Sequence, residues 1–223
     1  MSLFAETLLL TLKLSALATA LLLAIGVPLA YWLAHTPSRT KPLVETLVSM
    51  PMVLPPSVIG FYLLVAFNPE DVFGKWLDSV LHLRLVFTFE GLVVASVLYS
   101  LPFMVRPVQA GFESLPSSLR EASYTLGKSR VQTLWRVLLP NMKPALLTGG
   151  ILSFAHTIGE FGIVLMIGGN IPGTTRVASI AIYDEVESLH YGMANRYSLV
   201  LLSITFVILL AVSLINKKQV RSI

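Results

Sequence analysis

The chain has 223 residues, 55% hydrophobic and only 13% charged, with a mean hydropathy of +0.77, against roughly 45–50% apolar and about 25% charged in soluble domains. That composition excludes an ordinary soluble enzyme and leaves no room for a separate soluble domain, so residues 1–223 read as one transmembrane domain. Without cysteine there is no disulfide, thiolate metal site or cysteine nucleophile; the net charge of +4 comes from side chains beside apolar segments, which set topology rather than bind nucleic acid.

A helix needs about 20 mostly apolar residues to cross a bilayer, and five stretches qualify: Leu8 to Trp32, Leu43 to Phe67, Phe87 to Val108, Ala145 to Ile167, and Tyr197 to Ile215. The predicted fold class is an all-α integral membrane protein with about five transmembrane helices. The first stretch exceeds the ~7–15-residue apolar region of a cleaved signal peptide, and the next follows almost at once, so it counts as a span. The second contains Pro51, Pro55 and Pro56, each of which removes a backbone donor and favours a kink or break. In lipid a break survives only against protein or water, so this span either lines a translocation cavity or carries a purely structural kink. The short run Trp76 to Leu85 predicts an interfacial or re-entrant segment.

Lysine and arginine gather after the first span (Arg39, Lys41), after the third (Arg106, Arg120, Lys128, Arg130, Arg136, Lys143) and at the end (Lys217, Lys218, Arg221), while Glu70, Asp71, Asp78, Asp184, Glu185 and Glu187 mark the other loops. The positive-inside rule then puts the N-terminus outside and the C-terminus in the cytoplasm.

The polar loop 114–140 is the most informative segment. Ser118 to Glu121 has the form of a capping box, Gly127 interrupts, and Ser129 to Gln132 repeats the capping pattern. Val131, Leu134, Trp135 and Leu138 follow at helical spacing and predict one apolar face. Helix, glycine turn, helix is the expected form. The first helix is too short to persist alone in water and must pack on a partner subunit or on the chain's own spans. Ala122 to Ser129 mimics a phosphate-binding loop, but a capped helix precedes it where a buried strand is required. No aspartate on a predicted cytoplasmic segment is available to hold magnesium. This chain is therefore expected to have no catalytic residues and to hydrolyse no ATP.

Within this loop Glu121-Ala122-Ser123, Gly127, Val137 and Leu139-Pro140 resemble the signature of ATP-binding-cassette (ABC) importer permeases: Glu-Ala-Ala, a glycine four residues on, then an aliphatic residue and Leu-Pro. Ser123 and Val137 replace the usual alanine and isoleucine, both mildly. The resemblance implies a type I importer permease bundle in which Glu121, Ala122, Ser123, Gly127, Leu139 and Pro140 couple the spans to an ATPase subunit. It implies a homodimer of this chain, two ABC ATPase subunits carrying ATP and magnesium, an external oxyanion-binding protein and a bacterial or archaeal inner membrane, with no cofactor or metal on this chain. Pro51 to Pro56, Gly159-Glu160-Phe161-Gly162, Gly169 to Gly173 and Ala181 to Tyr183 together resemble molybdate permeases; the second, with the following Gly169-Asn170, is also similar to sulfate and thiosulfate permeases. Molybdate is the favoured cargo, with tungstate, sulfate and thiosulfate as alternatives.

The resemblance places Pro55, Pro56, Gly159, Glu160, Phe161, Gly162 and Asn170 on the translocation path or its gate. Glu160 is a gate or helix-pairing group, or a carboxylate in water contact; Asn170 to Gly173 form part of an outer gate, or a turn. Few cationic side chains fall within the spans, only Lys13 and Arg106 near their ends. Weak cargo binding by this chain, with selectivity resting on the binding protein, is the expectation. An ATP-independent secondary transporter would be expected to show ion-coupling residues within the spans or an internal repeat. The sequence offers neither. A membrane scaffold would account for the loop but not for the broken second span.

Overall fold

The computed structural model describes residues 2–220, so Arg221 lies outside the described residues; those described are helical, with no strands. In chain order the helices are α1 (Leu3–His35), α2 (Lys41–Ser49), α3 (Pro56–Phe67), α4 (Val72–Leu81), α5 (Phe89–Ser114), α6 (Ser117–Thr125), α7 (Arg130–Thr133), α8 (Leu139–Asn141), α9 (Lys143–Gly159), α10 (Gly162–Gly168), α11 (Ala178–Glu187) and α12 (Tyr191–Val220). A 3-10 turn spans Met50–Met52 and a π turn spans Leu134–Leu138.

Three helices are long and apolar enough to cross a membrane unbroken: α1, α5 and α12. Two bent pairs, α2 with α3 at 109° and α9 with α10 at 61°, bring the crossings to five if each pair is one span. The prolines of the second span thus produce a sharp break. Pro51 sits in the 3-10 turn, Pro55 precedes α3 in an extended conformation and Pro56 opens it, where a missing N–H leaves no bond unmade. The fourth span was expected to be continuous over Ala145 to Ile167 and is not. It stops at Gly159, and Glu160 (ψ 132°) turns the backbone out of the helix before α10 begins. The run Trp76 to Leu85 falls partly in α4, too short to cross, which ends at His82 in the left-handed region. There Arg84 donates through Nε to both Asp78 carboxylate oxygens at 3.1 Å, which holds the Asp78 carboxyl below its ordinary range.

α1, α5 and α9 form the centre. Ser2 caps α1, accepting from the Ala5 N–H at 3.4 Å, and Thr88 caps α5, accepting from Gly91 at 3.1 Å. Along α1 the buried residues run Thr7, Thr11, Leu14, Ser15, Ala18, Leu22, Gly26, Ala30 and Leu33, one stripe at helical spacing that is rich in small side chains. In lipid, where apolar burial alone does not drive helices together, small residues allow the close approach that does. The tightest approach between two of these central helices is at Gly111 on α5: an added Cβ would lie 2.5 Å from the Ala145 Cβ on α9. Both carbons are fixed to backbone, so the helices would have to part. Gly111→Ala is expected to cost about 1–3 kcal/mol, read as a lower thermal-unfolding midpoint in detergent. An unchanged midpoint would show that the α5–α9 contact is loose.

Candidate functional site

Two regions carry the chemistry that the sequence singled out. The first is the loop at one end of the bundle, where α1 and α5 finish. Its first helix does not begin as expected: α6 starts at Ser117, Pro116 holds the N-cap position with φ −58° and ψ 136°, and no side chain caps it. The Ser118 capping box therefore does not form. Proline also keeps Leu115 extended, which places the helix start two residues early and leaves Ser118 inside the first turn. The second capping box does form: Gln132 N–H donates to Ser129 Oγ, and Ser129 N–H donates to Gln132 Oε1, both at 3.2 Å.

Between them Gly127 adopts φ +72°. Its N–H donates to the Tyr124 carbonyl at 2.9 Å and the Lys128 N–H to the Ser123 carbonyl at 3.1 Å, a Schellman ending that satisfies the last carbonyls of α6. The N–H groups that a phosphate loop would aim at its ligand are thus already committed within the chain. Ser123 does more than keep the face small. Its hydroxyl lies 2.9 Å from the Thr133 hydroxyl, both buried, and ties α6 to α7 across the turn. Ser123→Ala alone would leave the Thr133 hydroxyl unsatisfied at about 1–3 kcal/mol, and adding Thr133→Val should recover part of that loss. Thermal unfolding of the two singles and the double checks it; additive losses would show that the hydroxyls do not interact.

The single apolar face expected for Val131, Leu134, Trp135 and Leu138 is split. Leu138 is 2% exposed, whereas Val131 and Trp135 are 65% and 66% exposed. The cause is the π turn, in which Leu139 N–H donates to the Leu134 carbonyl five residues back. Pro140 has no N–H to give the Arg136 carbonyl and its ring crowds that group, and the wider turn absorbs it. Leu139-Pro140 thereby sets the rotation between α7 and α9.

The second region lies where the two broken spans meet. An added Cβ at Gly162 would stand 2.7 Å from the Pro56 Cβ, and one at Gly60 would stand 2.8 Å from the Met166 sulfur, so α3 and α10 pack closely through their glycines. Glu160 is 6% exposed. Its Oε1 accepts from the Ile163 N–H at 3.1 Å, capping α10, while its carbonyl accepts from the Ser179 hydroxyl at 2.5 Å. The Phe161 ring lies against Tyr183, centroids 4.9 Å apart, and Gly159 faces open space. Asn170 lies apart from these, in a turn after Gly169; both have positive φ, and the Asn170 Oδ1 is buried without a partner. Thr175 closes that turn, donating to the Gly168 carbonyl at 2.6 Å and accepting from Ile171 at 3.0 Å.

Sequence reasoning missed His156, whose signal was available: an ionisable residue inside a span, one turn before Glu160. Its ring stacks on Phe103 at 4.0 Å, and its Nδ1 lies 2.9 Å from Ser100 Oγ. Thr157 donates its hydroxyl proton to the Ser153 carbonyl at 2.9 Å, so in its 3.1 Å contact with Ser100 it accepts. Ser100 is then left to accept from His156, which places a proton on Nδ1 and, in the neutral ring, a lone pair on Nε2. A neutral His156 has no N–H left to offer an anion. Lys13 sits over the Phe89 ring at 4.7 Å. Arg106 is not free either: it donates through Nε to Ser49 Oγ at 2.9 Å and through Nη2 to the Glu45 carbonyl at 3.3 Å, joining α5 to the end of α2 beside the proline break.

Bent spans that meet at the bundle's middle, with a polar helix–turn–helix projecting from one end, define an importer permease. Residues 26–221 match the family described as binding-protein-dependent transport system inner membrane component, and the chain belongs to that family. It is 46% identical over 202 residues to the molybdenum transport system permease protein ModB of Azotobacter vinelandii, covering 91% of this chain and 89% of that one. It is 35% identical to the probable sulfate transport system permease protein cysT of Nephroselmis olivacea, over 91% of this chain and 71% of that one. Among solved structures, a bacterial ABC transporter that imports the acidic polysaccharide alginate matches with a TM-score of 0.80 at 19% identity, covering 98% of this chain and 80% of that one. The fold is that of a type I ABC importer permease.

Proposed function

We propose that this chain is the permease subunit through which an ATP-driven importer moves molybdate across the cytoplasmic membrane. The observation that carries the cargo is the end-to-end similarity to ModB, at 46% identity against 35% for the sulfate relative. Two copies of the chain form the path, with ATP and magnesium held by two separate ATPase subunits and cargo delivered by an external binding protein. The α6 end faces the cytoplasm, consistent with Arg120, Lys128, Arg130, Arg136 and Lys143 at that end, and the N-terminus faces outward.

The geometry supports docking through α6. With about 100° between successive helical residues, Ser118, Ala122 and Thr125 share one exposed face. These small side chains allow a partner's groove to approach closely. Glu121 borders that face, and the Gly127 turn and the Ser123–Thr133 tie pass its motion to α7 and, through the π turn, to α9. At the other end of α9, the contact of Gly162 with Pro56 makes the two bent spans move together, which suits a gate. The chain binds cargo weakly, because its intramembrane cations are committed to Phe89, Ser49 and Glu45 and His156 presents a lone pair when neutral. Tight molybdate binding by the purified chain alone would contradict that.

Radiolabelled molybdate uptake into vesicles containing this chain, its ATPase and its binding protein tests the whole proposal. ATP-dependent uptake that tungstate blocks and sulfate does not is expected. Equal competition by sulfate would reassign the cargo, and uptake by this chain alone would overturn the ATP-driven mechanism.

A further inference from the structure

A second feature at the α6 end is not explained by coupling. Between the end of α1 and the flank of α6 lies an open cavity of 610 Å³ lined by Tyr31, Trp32, His35, Arg120, Tyr124 and Arg130, and by the carboxylate residue Glu121. Arg120 and His35 also line a second cavity of 200 Å³, beside Phe112, Glu113 and Pro116. Among the described residues neither Arg120 nor Arg130 has an ion-pair partner, whereas Arg84, Arg176 and Lys41 all do. His35 donates through Nδ1 to the Tyr31 carbonyl at 2.9 Å and packs against the Tyr31 and Phe112 rings, which makes it wall rather than ligand. Two guanidiniums and two phenols therefore converge on one space with a single carboxylate opposing them.

The depth of the cavity indicates the ligand. α1 is the first membrane-crossing helix, and Trp32, three residues before its end, is exposed on its surface as aromatic side chains are at the level of lipid headgroups. On α6, Arg120 and Tyr124 point about 160–200° away from Ala122, so the cavity opens on the flank away from the small-residue docking face. A ligand arriving there comes along the membrane surface. We propose that this cavity binds the phosphodiester headgroup of an anionic phospholipid, with Arg120 and Arg130 pairing its phosphate oxygens and the Tyr31 and Tyr124 rings walling the site. The chemistry it recognises is a tetrahedral oxyanion; lateral access favours the lipid over a free ion. The site is independent of which cargo the chain carries.

The complete transporter, chain with ATPase, in nanodiscs containing a photoactivatable phosphatidylglycerol tests this without any cargo. Labelling is expected to map to residues 31–37 and 120–130, and to fall about five-fold for Arg130→Gln and about thirty-fold for Arg120→Gln with Arg130→Gln. Arg136→Gln, an exposed cation on the same loop that lines neither cavity, is the control and should leave labelling unchanged. Labelling that maps elsewhere, or that persists in the double variant, overturns the proposal. Loss of the label on adding 10 mM inorganic phosphate or molybdate would overturn the lipid source and assign the cavity to a free oxyanion. If the double variant fails to assemble, the label map of the unaltered complex and its competition by phosphate decide the matter.

Discussion

Gly127→Pro is expected to abolish ATP-driven uptake while leaving the bundle assembled. The position has φ +72°, and proline is held near −65° and has no N–H. The variant cannot make the bond to the Tyr124 carbonyl or direct Lys128 back to Ser123, so the last carbonyls of α6 lose their partners. A disruption of roughly 3 kcal/mol confined to this turn corresponds to about two orders of magnitude in coupling. The measurement is uptake alongside ATP hydrolysis by the same vesicles: hydrolysis should persist but no longer rise when loaded binding protein is added. Gly127→Asn is the companion, since asparagine tolerates the left-handed region, and it should retain most of the activity. Normal uptake by the proline variant would remove the turn from the mechanism.

Glu160 gives the second large effect. In the structure its buried carboxyl caps α10, accepting from the Ile163 N–H. Glu160→Ala orphans the Ile163 N–H, and an unsatisfied backbone group in a membrane interior costs several kcal/mol. The start of α10 should unravel from its seat against Pro56, and uptake should fall by about a hundredfold or more. Glu160→Gln keeps an oxygen in the same place and removes the charge. If capping is the role, the glutamine variant imports within a few-fold of the unaltered chain. If glutamine is as damaging as alanine, the charge itself gates the path, and the capping bond is incidental.

These residues show how far the sequence could be read. The three unbroken spans, the helix–turn–helix loop, its glycine turn and the second capping box follow from periodicity, capping chemistry and the conformational freedom of one residue. All are local, and the structure has them where expected. The fourth span reads as continuous because Gly159 and Gly162 are tolerated in membrane helices; only a carboxylate folding back onto Ile163 makes the break. Pro140 is legible in the sequence only as half of the Leu-Pro pair, not as the origin of a π turn, and that turn decides which of Val131, Trp135 and Leu138 is buried. The Ser118 box does not form because Pro116, two residues earlier, takes the N-cap position.

The sequence by itself determined that this protein lives in a membrane, that its second span is broken at the prolines, and that one polar loop is a helix–turn–helix that must pack on something. Composition and short-range geometry suffice for those properties, since each depends on residues within a turn or two. Tertiary structure alone decided that Pro56 meets Gly162, that Ser123 holds Thr133, that His156 carries its proton on Nδ1, and that Arg120 and Arg130 share a cavity with Tyr31. Each of these joins residues from different helices or across a turn, and their meeting is set by how closely small side chains let the helices pack.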